Sequence, residues 1–197
     1  MVKLDSIHDH VIAMLEKGLS KSLTYHNVDH TLDVYVQCMA IAKEEGITDK
    51  EALLKLQIAA LYHDAGFIYI YQQHEAKGCE IARDQLPGFG LDKSLIEDIC
   101  EIIMATKVPQ MPATFLQKII CDADLDYLGR EDFFIISNNL KREWIEYKLI
   151  ESEQEWDKKQ LEFLQSHHNF TESSNKRRKA GKLKYINHLL KEKNERK

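Results

Sequence analysis

Ala52-Leu53-Leu54-Lys55-Leu56-Gln57-Ile58-Ala59-Ala60-Leu61-Tyr62 runs straight into His63-Asp64-Ala65-Gly66. Leu53, Leu54, Leu56, Ile58, Ala59, Ala60 and Leu61 leave the segment apolar on nearly every side, and a helix of that kind belongs in the middle of a domain rather than on its surface. His63 and Asp64 then fall at the inner end of a buried element. An ionised carboxylate in such a place is costly unless a cationic side chain or a metal ion meets it. No Lys or Arg adjoins the pair, whereas imidazole and carboxylate together are good ligands for first-row divalent ions. His63-Asp64 therefore reads as half of a metal site.

Upstream, Tyr25-His26-Asn27-Val28-Asp29-His30-Thr31 opens a segment with Val28, Leu32, Tyr35, Met39 and Ala42 in steps of four, three, four and three, one face of an α-helix. Asn27 is placed to cap it, with Asp29 in a first turn that favours negative charge. An earlier helix over residues 5–17 ends near Gly18. Thr48 with Glu51 makes a capping-box pattern for the buried helix. Downstream, Phe67 to Tyr71 has strand-like composition but no visible partner strand, so a loop or one helical turn is expected. Helices follow over His74 to Leu86, after Asp92, over 114–128, over 131–149 and 153–166, and from near Thr171. The 114–128 segment carries Asp122-Ala123-Asp124-Leu125-Asp126 within an apolar stripe.

The 197 residues suit one domain, 1–197, with eight glycines and three prolines tilting it toward helices. Apolar residues at 44% and charged residues at 30% describe an ordinary globular chain. Cys38, Cys79, Cys100 and Cys121 form no CxxC pair and read as reduced core residues of a cytoplasmic protein. Neither a signal peptide nor a membrane span is visible. The net charge of -5 conceals a basic end, with ten Lys/Arg against three Asp/Glu from Glu172 to Lys197. A lysine-rich end helix is more often solvated than bound to nucleic acid, so no nucleic-acid partner is expected. Oligomeric state stays open.

The chemistry-bearing residues thus fall in three places, each on or beside a strongly apolar helix: His26 and His30, His63-Asp64, and the carboxylates at 122, 124 and 126. In this order they resemble the HD superfamily of metal-dependent phosphohydrolases, whose pattern is a His, a later His-Asp pair and a distant Asp. The resemblance covers about residues 20–130, leaving 131–197 as a helical extension. It implies an all-α helical bundle in which His30, His63, Asp64 and Asp124 hold a divalent ion: Mn, Mg, Fe, Ni or Zn. Asp124 is preferred to its neighbours because Ala123-Asp124-Leu125-Asp126 matches the family's pattern around its last ligand.

The implied activity is cleavage of a phosphoester (a nucleotide, a cyclic nucleotide or another phosphate ester) by metal-activated water, with His26 and Asp64 as catalytic residues. The Tyr25-His26-Asn27-x-x-His30 segment is similar to its counterpart in cyclic-nucleotide phosphodiesterases, where the earlier His is the general acid. Asn27, His74, Lys107, Asp122, Asp126 and Arg142 are the candidates for orienting ligands or touching substrate. Phe67 stands where alarmone hydrolases and deoxynucleotidases carry a catalytic Glu, and Thr106 where a dinuclear branch offers His; those branches are the poorer matches. The alternative is a non-catalytic, metal-containing module that binds a ligand or nucleic acid. Trp144, Trp156 and Phe163 are expected as packing anchors.

Overall fold

The computed structural model describes residues 4–195. Among them the regular structure is nine α-helices and three single-turn 3-10 segments, without a strand, as the all-α expectation requires. At the centre is α3 (Lys50–Tyr62). It starts one residue later than the Thr48–Glu51 box predicts, because Asp49 is the cap and accepts from Ala52 N at 2.7 Å. Leu56, Ile58, Ala59, Ala60 and Leu61 are wholly enclosed by α1 (Leu4–Gly18), α2 (Val28–Glu44), α5 (Lys93–Met104) and α6 (Phe115–Asp124). Each fully buried Leu or Ile contributes about 1.5–3 kcal/mol. The register of α3, and with it the place of His63, is therefore strongly set.

Past Asp64 the chain makes a 3-10 turn over Ala65–Ile68, then returns as α4 (His74–Gln85). Where a loop or one helical turn is expected over Phe67 to Tyr71, the turn begins two residues earlier and irregular chain follows it. A Cβ on Gly66 would lie 2.0 Å from the carbonyl oxygen of His74, so only glycine lets α4 begin directly over the His63-Asp64 corner. Asp92 caps α5 through Leu95 N at 2.9 Å. Thr114 and Gln117 form a capping box at the start of α6.

The rest of the chain forms α7 (Phe133–Glu146), α8 (Glu153–Ser166) and α9 (Glu172–Glu195). Their apolar faces join Tyr25, Tyr127 and Leu128 in a second hydrophobic cluster, with Phe133, Leu161, Leu164, Tyr185 and Leu189. Two of the candidate site carboxylates turn out to hold this extension in place. Asp122 accepts from the backbone of Phe170 and Thr171, both at 2.8 Å, and from Thr171 Oγ1 at 2.6 Å. Asp126 takes a bidentate pair from Arg178 at 2.8 and 2.7 Å. Both carboxylates are buried, and these contacts run to the extension. Close contact completes the docking: a Cβ on Gly181 would lie 2.1 Å from Gly129 O.

The basic end is thus partly directed inward. Arg177 pairs with Glu44 and Asp126, Arg178 with Asp126, and Lys182 donates to His167 O. All four cysteines are free and buried. No helix among the described residues is long and apolar enough to cross a membrane.

Candidate metal centre and active site

Three helices deliver the cluster. His30 stands in the first turn of α2, fixed by Asn27, whose Oδ1 accepts from His30 N at 3.1 Å while its Nδ2 donates to Thr24 O at 3.1 Å. Both ends of the Asn27 amide are engaged in this capping. His63 closes α3, Asp64 follows it, and Asp124 ends α6. The Nε2 atoms of His30 and His63 lie 3.4 Å apart. Asp64 Oδ2 is 3.4 Å from the first and 3.2 Å from the second; Asp124 Oδ1 is 3.3 and 3.7 Å from them.

The donor chemistry fits a divalent cation. His63 Nδ1 donates to Ala60 O at 2.8 Å, which leaves Nε2 as the nitrogen that can coordinate, the arrangement usual for a metal-bound imidazole. Asp64 Oδ2 is buried and takes no hydrogen bond. Atoms bound to one ion at about 2.1 Å are about 3.0–3.4 Å apart in octahedral or tetrahedral geometry, close to the separations above. The strict cluster is His30, His63 and Asp124, whose donor atoms all lie within 4.8 Å of one another, and Asp64 Oδ2 adjoins both rings.

Electrostatics lead to the same conclusion. Burial pushes the His30 pKa down, but the adjacent carboxylates of Asp124 and Asp64 outweigh it and hold it up at about 10. Burial likewise opposes the charged form of His63, yet Asp64 raises its pKa. Asp64 is held well below the usual carboxylate range, with the two imidazoles overcoming the penalty of burial. The pocket is one that stabilises positive charge, and a cation can take the place of the proton.

His26 sits beside the cluster in a built setting. Its Nδ1 hydrogen-bonds Glu143 Oε1. Glu143 Oε2 accepts from the backbone N–H of Tyr25 at 2.8 Å and of His26 at 3.0 Å, and Tyr71 OH donates to Oε1 at 2.8 Å. The His26 ring stacks on Phe67 at 4.2 Å, and Phe67 stacks in turn on His74 at 3.9 Å. His74 Nε2 is 3.5 Å from Asp64 Oδ1, and its Nδ1 donates to Tyr71 O at 3.0 Å. Glu143 is absent from the sequence-level candidates. The signal was there: with Ile136 and Leu140 it continues an apolar helical stripe, an odd position for a carboxylate.

A cavity of about 890 Å³ opens from the cluster, lined by Asp64, Asp124, His26 and His74 at one end. Lys107 lies on its wall. Arg142, the other candidate for a phosphate contact, does not: it is exposed on α7 and bonds Asn138 O and Asn139 Oδ1. Helical periodicity explains the difference, since Arg142 lies next to the inward-facing Glu143 and so about 100° around the helix from it. Gln110 Nε2, 3.4 Å from Asp124 Oδ2, is a further contact to the ligand set that sequence reading missed.

The family profile of the HD domain matches residues 27–126. Comparison with curated proteins finds no match. Among solved structures, the fold is similar to that of a predicted HD superfamily hydrolase from an uncultured Thermotogales bacterium. The two share 22% identity at a TM-score of 0.62, over 93% of this chain and 91% of that one.

Proposed function

The chain belongs to the HD domain family, and from that premise we propose that it is a metal-dependent phosphohydrolase: with water it cleaves a phosphoester to an alcohol and phosphate. The observation that carries this reading is the meeting of His30 Nε2, His63 Nε2 and Asp124 Oδ1, with Asp64 Oδ2 bare beside both rings. When bound, a divalent ion there supplies Lewis acidity and makes water a stronger nucleophile at neutral pH. The chain's own residues do the rest. With Nδ1 on Glu143, His26 has Nε2 available to protonate the leaving oxygen, and the buried Glu143 carboxylate stabilises the imidazolium before transfer. Lys107 brings a positive charge to the same cavity. Phe67, packed between two imidazoles, keeps the plane of His26 fixed and puts a ring where alarmone hydrolases carry a carboxylate.

The reading places the reaction in the cytoplasm, on a small molecule and with no nucleic-acid partner. It is tested on a panel of phosphomonoesters, phosphodiesters, nucleotides and cyclic nucleotides with added Mn(II). Turnover that disappears on chelation and returns with metal is expected. No turnover across the panel, or turnover indifferent to chelation, sinks the proposal.

A further inference from the structure

The cavity that starts at the cluster is far larger than a phosphate needs. At about 890 Å³ it is near the upper end of small-molecule pockets, and it is continuous from Asp64 and Asp124 to α8. Away from the cluster its walls are chiefly hydrocarbon: Tyr127, Phe133, Leu140, Trp144, Trp156 and Phe163. Trp156 and Phe163 come from α8, one of the helices outside the segment that the HD domain profile matches. Beyond the cluster and its neighbour Glu75, the charged groups on the wall are Lys107, Lys159 and Glu162, and all three are exposed. Nucleoside polyphosphates demand several converging cations, and a sugar or base demands buried hydrogen-bonding groups to replace water. No converging set of cations is present, and away from the cluster the hydrogen-bonding groups, Gln160, Ser166, the Tyr127 hydroxyl and the two indole N–H groups, are few against an apolar wall.

Building on the phosphohydrolase reading, we infer that the substrate is a phosphate ester of a large apolar alcohol, alkyl or aryl. Its phosphate lies at the cluster and its hydrocarbon body lies between α7 and α8. Hydrolysis adds water across the P–O bond, so the apolar alcohol leaves with a proton and phosphate is released. Selectivity resides in the hydrocarbon, since each buried methylene favours binding about fourfold.

The two tryptophans of the chain both line this cavity, so their emission reports binding without any turnover. The test titrates the full-length protein with Mn(II) and n-alkylphosphonates from ethyl to octyl. We expect Kd to fall about fourfold per methylene until the cavity fills. Phe163→Ala flattens that dependence, and Ile135→Ala, on the exposed face of α7, leaves it unchanged. A Kd independent of chain length, or a nucleoside monophosphate that binds more tightly than octylphosphonate, overturns the inference. Chain-length-dependent binding with no hydrolysis of any phosphoester removes the phosphohydrolase reading but keeps the ligand class. Metal-dependent hydrolysis of short esters with a flat series removes the ligand class alone.

Discussion

Glu143 on α7 and His26 just ahead of α2 stand 117 residues apart in the chain and share a hydrogen bond between Oε1 and Nδ1. The Glu143 carboxylate also receives two backbone N–H groups and the Tyr71 hydroxyl. Burial alone pushes its pKa up, but the bond to His26 and the backbone donors hold it below the ordinary value. An ionised carboxylate with all its partners in place is a rigid mount for the imidazole.

Glu143→Gln keeps the shape and removes the charge. We predict that kcat falls about ten- to a hundredfold with little change in KM, and that His26→Ala falls by about two to four orders of magnitude. Parent-like kcat in folded Glu143→Gln would assign Glu143 to scaffolding only.

Without metal, the folded chain should lose stability with rising pH. His30 has a folded pKa of about 10 against an ordinary 6.5. A raised folded value means that the stabilisation is complete below about pH 6.5 and is lost as pH climbs through about 10. The decline is on the order of a few kcal/mol. Mn(II) should flatten it, because the cation replaces the proton. Thermal melts at pH 6, 8 and 9.5, with chelator or with Mn(II), decide the matter; parallel declines in both series would contradict it.

Asp126 holds α9 through Arg178, and we predict that its loss is felt in stability rather than in the chemistry. Asp126→Asn leaves Arg178 without its bidentate partner in a site where the carboxylate is 1% exposed. Breaking such a pair costs about 3–5 kcal/mol. We expect a large loss in denaturant stability, while the fraction that remains folded keeps full metal content and kcat. Loss of metal at unchanged stability would return Asp126 to the site.

Gly181→Ala should act at the same joint by a different cause. The new methyl would meet Gly129 O at 2.1 Å, and backbone cannot move aside as a flexible side chain can. Overpacking of this kind costs about 1–3 kcal/mol. An unaltered melting temperature would contradict close packing of α9 on the Asp126–Gly129 turn.

Most of the helical layout was legible because it follows from apolar spacing and caps: α8 spans the expected 153–166, and Asn27 and Asp92 cap as expected. His63-Asp64 stood out because ionisable groups ending an all-apolar segment need an explanation, His30 and Asp124 were chosen over their neighbours by resemblance to the HD pattern, and the structure brings the donor atoms of all four together. What stayed hidden depends on pairing across the chain. Asp122 and Asp126 read as groups that orient ligands because their partners Thr171 and Arg178 arrive from residues some fifty positions on. Glu143 was missed, and Arg142 expected at the cavity, for a related reason. A polar residue on a helix shows its task only once the face packed against it is known.

The central claim is that His30, His63, Asp64 and Asp124 hold one divalent cation. Elemental analysis of the Mn(II)-loaded, desalted protein beside Asp64→Ala tests it, with circular dichroism to show that the variant is folded. The account predicts about one equivalent of metal in the parent chain and almost none in the variant, with activity lost in step. Full metal occupancy in folded Asp64→Ala would contradict it.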